Sequence, residues 1–178
     1  MAARDVLLFP DPRLKIVCAD IPAVDDAAVR LLTDLIDTLN TMPGVGLAAP
    51  QIGDLRRAVV VDVSRLPPRK GKTPPAHHGR IALLNPRITH TEGDVTFREG
   101  CLSIPDFLAD IRRAAFVRVE GLNAQGTPTV LETEGFEAVA LQHEIDHLNG
   151  LLFLDRVTNL KTDLFRRKQT GTPPQKPN

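Results

Sequence analysis

The segment His143-Glu144-Ile145-Asp146-His147 constrains this chain more than any other, because an H-E-x-x-H carries meaning only on a helix. Two imidazoles four residues apart share a face there and can grip one ion. Glu134 to Asn149 reads as such a helix, ended by Gly150. At about 100° per residue, Phe136, Val139, Ala140, His143 and His147 form one stripe, and Leu141, Ile145, Leu148 and Leu152 a second. Gln142, Asp146 and Asn149 form the polar stripe, where Asp146 is expected to be solvated. A helix with two apolar stripes is largely buried, so the rest of the fold has to close around it.

Glu144 falls between the two apolar stripes, about 80° from the centre of the histidine stripe. Burial there raises a carboxyl pKa toward the range useful for proton transfer, partly offset by a nearby cation. A hydrolytic metal normally takes three protein ligands and leaves a fourth position for water. The best third donor is Cys101, in the turn-like segment Glu99-Gly100-Cys101-Leu102-Ser103-Ile104-Pro105 that follows a predicted strand. The same residues admit a plainer reading. Two core histidines can satisfy each other or the backbone, and a lone cysteine can be a small buried hydrophobe, which is the reading given to Cys18. A structural zinc site would need a fourth protein ligand, and the sequence offers none.

The remaining segments suit a β-rich middle between helices. Asp25 can cap a helix with apolar Val29, Leu32, Leu35, Ile36 and Leu39, stopped by Pro43 and Gly44. Arg57 to Val63, Ile81 to Leu84, Val95 to Arg98, Phe116 to Leu122 and Thr129 to Thr133 read as strands. Turn residues in Asn123 to Gly126 join the last two as a hairpin. Ser64 to Arg80, rich in proline and basic residues, reads as a loop, with His77 and His78 solvated. Leu160 to Lys168 reads as a short basic third helix, and the proline-rich residues 171–178 as a disordered tail.

Bulk properties narrow the function classes. Lys plus Arg and Asp plus Glu both number 22, which gives no reason to expect DNA or an anionic membrane as partner. Arg4, Asp5, Asp11 and Arg13 interrupt the amino terminus, leaving no signal h-region, and no later segment approaches a membrane span. A cytoplasmic protein is the expectation, and a reducing compartment would keep Cys18 and Cys101 as thiols.

Three segments together resemble the signature motifs of the peptide deformylase family, G-x-G-L-A-A-x-Q, E-G-C-L-S and Q-H-E-x-D-H. They are Gly44-Val45-Gly46-Leu47-Ala48-Ala49-Pro50-Gln51, Glu99-Gly100-Cys101-Leu102-Ser103 and Gln142-His143-Glu144-Ile145-Asp146-His147, in the family's order. The resemblance extends from Asp11-Pro12-Arg13 through Leu152-Phe153-Leu154-Asp155. It implies an α+β fold, with antiparallel sheets surrounding a central buried helix that carries H-E-x-x-H, in one catalytic domain over residues 1–170. It also implies a hydrolase that removes formyl from the N-terminal methionine of newly made polypeptides. Carried over, Cys101, His143 and His147 hold the metal and Glu144 is the general acid and base. The Gln51 amide and the Leu102 backbone N–H meet the developing oxyanion. Val45, Gly46, Gly100, Phe136, Val139 and Ala140 are the expected substrate residues. The ion implied is Fe2+, with Zn2+, Ni2+ or Co2+ as alternatives in purified material. Where some relatives place a peptide-holding arginine after the motif-two proline, this chain has Asp106-Phe107-Leu108, and Arg112 or Arg113 can pair with Glu99. Lys161, Arg166, Arg167 and Lys168 are candidates for a ribosome contact, with a solvated basic face as the plainer alternative.

Overall fold

The computed structural model describes residues 3–66 and 76–167. Among these residues eight strands and two α-helices follow in the order α1 (Asp26–Asn40), β1 (Gly46–Ala48), β2 (Ala58–Val61), β3 (Ile81–Glu92), β4 (Val95–Cys101), β5 (Ile104–Arg113), β6 (Phe116–Leu122), β7 (Pro128–Glu134), α2 (Gly135–Leu148) and β8 (Leu164–Arg166). One sheet runs β1-β2-β3-β6-β7 and a second β4-β5-β8, with every pairing antiparallel. The two sheets enclose α2, whose residues from Glu137 to Leu148 are all buried, while α1 packs on the opposite face of the five-stranded sheet. That is the α+β arrangement around a central helix expected from the motifs.

Local chemistry explains the boundaries. The Asp25 carboxylate accepts the Ala28 N–H at 2.8 Å and caps α1. The buried face of α1 is Ala28, Leu31, Leu32, Leu35 and Leu39, while Val29, expected on it, is 38% exposed. The β6–β7 hairpin closes through Asn123, whose Oδ1 accepts the N–H groups of Gln125 and Thr127. Gly150 ends α2 with φ +70°, and a Cβ there would stand 2.7 Å from the Lys15 carbonyl oxygen.

Several expectations change in the structure. β3 runs on to Glu92, well past Leu84, because β6 offers it a full antiparallel partner. Within the segment expected as a third helix, the described residues Leu160 to Arg167 are not helical. Asp163 accepts from the Asn159 N–H and the Thr158 hydroxyl in a local turn, and Leu164–Arg166 then pairs as β8 with β5. Lys168, residues 67–75 of the expected loop and the 171–178 tail lie outside the described residues. His78 is not simply solvated: it meets the fully buried Glu137 carboxylate through its backbone N–H at 2.9 Å and its Nδ1 at 2.7 Å. Among the described residues no helix is long and apolar enough to cross a membrane.

Candidate metal centre

α2 presents His143 and His147 on one face, and the β4–β5 hairpin brings Cys101 to them. The pairing of β4 with β5 shifts register between Gly100 and Cys101, and Leu102 and Ser103 form the turn that follows. The ligand atoms of Cys101, His143 and His147 lie within 4.8 Å of one another, the only such group among the described residues. Cys101 Sγ and His147 Nε2 are 3.2 Å apart. Sulfur and nitrogen donors around one tetrahedral ion stand about 3.5 Å apart, so the cluster needs little adjustment to hold one. All three residues are buried.

Charge around the donors is arranged from behind. The Glu99 carboxylate meets His143 Nδ1 at 2.8 Å, which leaves Nε2 of that ring for the cluster. Arg113 donates to Glu99 from Nε at 2.7 Å and from Nη2 at 2.9 Å, and its Nη1 reaches Asp146, which also takes Arg156. Of Arg112 and Arg113, either of which was expected to pair with Glu99, Arg113 does so, while Arg112 donates to Asp94. Asp146, expected to be solvated, is 5% exposed and bound by two guanidinium groups, since the whole circumference of α2 is enclosed. Burial favours the neutral form of Glu99, yet Arg113 and His143 outweigh it and bring its pKa down to about 2.

The ionisable donors respond in the same way. Burial favours the Cys101 thiol, but the neighbouring His147 and His143 imidazoles hold its pKa well below the ordinary value. For His143, burial is outweighed by Cys101 and Glu99, which hold the imidazole pKa well above its usual value. A divalent cation held by these donors would supply the positive charge that favours the thiolate. Glu144 differs: burial pushes its carboxyl up to about 7, partly countered by His143 and His147. Its Oε2 is buried without a hydrogen-bond partner among the described residues, an orphaned acceptor beside the cluster.

Gln51 enters from the turn after β1. Its Oε1 accepts the Ala48 N–H at 2.9 Å, which points Nε2 toward Ser103 Oγ at 3.1 Å and Cys101 Sγ at 3.5 Å. Gly46 is needed for contact, since a Cβ there would overlap Glu144 Oε1 and stand 2.8 Å from Glu144 Cγ. A cavity of about 450 Å³ opens over Cys101, His143 and Glu144. Val45, Gly46, Gly100, Phe136, Val139 and Ala140 all line it, as do Gln51 and Leu102. Met42, Leu66 and Arg167 line it too, and the sequence had not pointed to them as cavity residues. Nor had Glu99 been assigned to His143. A signal was available, because in β4 the inward alternation Phe97, Glu99, Cys101 puts a charge on the face that carries the thiol.

A thiolate and two imidazoles converging beside a carboxylate of raised pKa, under a cavity of ligand size, define the class of mononuclear metal hydrolases. Comparison with known proteins narrows the class. The family model described as "Polypeptide deformylase" matches residues 3–163. A peptide deformylase of Syntrophobacter fumaroxidans is 40% identical over 168 residues, covering 94% of each chain. One of Alkalilimnicola ehrlichii is 44% identical over 168 residues, covering 94% of this chain and 89% of that one. The crystal structure of a Legionella pneumophila peptide deformylase superposes with a TM-score of 0.79 at 39% identity, covering 90% of this chain and 89% of that chain. A Met-Ala-Ser-bound class I type b peptide deformylase from Acinetobacter baumannii superposes at 0.80 and 31% identity, covering 88% and 99%. The chain belongs to the peptide deformylase family, enzymes that take the formyl group from N-terminal formylmethionine.

Proposed function

We propose that residues 1–170 form one catalytic domain in which Cys101, His143 and His147 hold a single divalent ion and Glu144 handles the proton. The observation that carries this assignment is the unpartnered, buried Glu144 carboxylate, its pKa near 7, beside the only clustered donor set among the described residues. A divalent ion there supplies Lewis acidity that makes water a nucleophile near neutral pH. Glu144 accepts a proton from the attacking water and delivers it to the leaving nitrogen, so that formate and a free amine result. Gln51 Nε2 and the Leu102 N–H stabilise the negative charge that develops on the formyl oxygen. Supporting this, Gln51 Nε2 is fixed at 3.5 Å from Cys101 Sγ, and Leu102 is a turn residue on the cavity wall.

The methionine side chain enters the cavity against Phe136, Val139 and Ala140. The peptide backbone then runs beside Val45, Gly46 and Gly100. β1 is an edge strand of its sheet, with an open side for such pairing, and the A. baumannii relative was solved with Met-Ala-Ser bound. The ion in the cell is ferrous iron: a thiolate and two imidazoles suit iron as well as zinc, and the family resemblance favours iron. Metal analysis of anaerobically purified protein tests that identity, and stoichiometric zinc with full activity after aerobic storage overturns it. The enzyme works in the cytoplasm on nascent chains. Lys161 and Arg166 are exposed and remain available to the ribosome, although not on a helix. Unchanged ribosome cosedimentation of a Lys161→Glu, Arg166→Glu variant removes that contact.

The deciding experiment is anaerobic formate release from formyl-Met-Ala-Ser by the parent and Glu144→Ala, with metal measured in both. Formate from the parent alone, with one ion in each protein, is the expected result. Undiminished release by Glu144→Ala removes Glu144 from the proton-transfer role.

A further inference from the structure

The family match ends at residue 163, yet the chain beyond it reaches the cavity over the metal cluster. β8 adds to the edge of β5 with Arg166 opposite Phe107, and the Arg167 N–H extends the ladder by donating to the Asp106 carbonyl at 2.8 Å. This places the Arg167 guanidinium over Gly100. A Cβ on Gly100 would stand 2.5 Å from Arg167 Nη2 and 2.7 Å from Leu108 Cδ2, so the missing side chain is what lets the guanidinium lie there.

The charges around the cavity are unequally engaged. Arg98 donates to both Asp110 carboxylate oxygens, at 2.8 and 2.9 Å, and lies 3.9 Å over the Phe165 ring. Glu99 is turned away to Arg113 and His143. Arg167 is exposed, lines the cavity and has no ion pair or hydrogen bond to its guanidinium among the described residues. A free, planar, always-charged guanidinium beside a peptide-sized cavity is a carboxylate receptor.

We propose that Arg167 determines substrate preference in this chain by pairing with a carboxylate that the substrate carries beyond its formylmethionyl end. Two sources present that chemistry: an acidic side chain in the residues after methionine, or the α-carboxylate of a short peptide. The inference rests on the deformylase reading of the site, and the test separates the two.

Formate release is measured with four substrates: formyl-Met-Ala-Ser, its C-terminal amide, formyl-Met-Glu-Ser amide and formyl-Met-Ala-Glu amide. The enzymes are metal-loaded parent, Arg167→Gln and Arg167→Lys. For each protein, kcat/KM is expressed relative to that protein's own value for the neutral amide, so any general loss of activity or folding cancels. The parent is expected to favour at least one carboxylate-bearing substrate about two- to fivefold, as an exposed ion pair allows. Arg167→Gln brings that ratio to about one, Arg167→Lys restores part of it, and about 0.5 M salt erases it in the parent. Which substrate gains identifies the carboxylate source. An equal ratio in parent and Arg167→Gln, or a parent that does not discriminate, overturns the proposal while formate release leaves the deformylase reading standing. No formate from any substrate with the loaded parent overturns both.

Discussion

Replacing Gly46 by alanine tests whether Glu144 must sit where the structure holds it. Gly46 is in β1 with ordinary extended backbone, so the substitution meets no conformational penalty there. The added methyl would overlap Glu144 Oε1 and stand 2.8 Å from both Cγ and Cδ, against about 3.5–4.0 Å for carbon atoms at rest. Glu144 is 5% exposed, so the carboxylate cannot relieve the overlap by swinging into solvent and must shift by about 1 Å within the site. A displacement of that size at a reacting group costs about 100-fold in rate. Metal content should be unchanged, because the three atoms nearest the new methyl all belong to Glu144 and none to Cys101, His143 or His147. Overpacking should lower stability by about 1–3 kcal/mol, visible in Tm. The assay is formate release from formyl-Met-Ala-Ser with kcat and KM resolved. A displaced proton carrier lowers kcat, whereas a blocked peptide strand raises KM. A folded, metal-loaded Gly46→Ala enzyme whose kcat stays within about threefold of the parent would refute the reasoning, because Glu144 would then have no fixed position to lose.

Gln51→Ala should cut turnover about 100-fold while the metal stays bound, and near-normal turnover would remove its amide from the oxyanion role. Glu99→Gln weakens the acceptor on His143 and leaves Arg113 facing a neutral partner, so metal affinity measured by chelator competition should fall about 10- to 100-fold. Unaltered affinity would show that His143 needs no partner behind it. Val139→Phe should fill the cavity and raise KM for formylmethionyl peptides with the metal retained, and an unchanged KM places the methionine elsewhere. Burial pushes the Cys18 thiol up from 9.0 to about 11, so the folded state holds that proton more tightly than the unfolded chain. The resulting stability is complete below pH 9 and fades as pH rises toward 11, amounting to about 3 kcal/mol at most. Denaturant titrations across that window should show a steeper loss for the parent than for Cys18→Ala, and parallel losses would show that the thiol is not desolvated.

The chemical core of this molecule could be read from the chain because each donor sits in a local pattern that dictates its direction. Four-residue spacing on a helix aims His143 and His147 together, and a glycine-containing strand end followed by a two-residue turn presents Cys101. The groups behind these donors were less legible, because long-range pairing decides them. Asp146 falls on the polar stripe of α2, and only the enclosure of that stripe by β5 and the Phe153–Arg156 turn turns it into the anchor for Arg113 and Arg156. The same limit explains Leu160 to Lys168. Its leucine and lysine content suits a helix, but isolated helices of that length are marginal in water, whereas the open edge of β5 offers three residues of ladder immediately. Strand pairing therefore overrides local propensity, and it changes what the basic residues can do. A helix would have turned Arg166 and Arg167 about 100° apart, whereas along β8 and its extension Arg167 is delivered to the wall of the cavity over Cys101, His143 and Glu144.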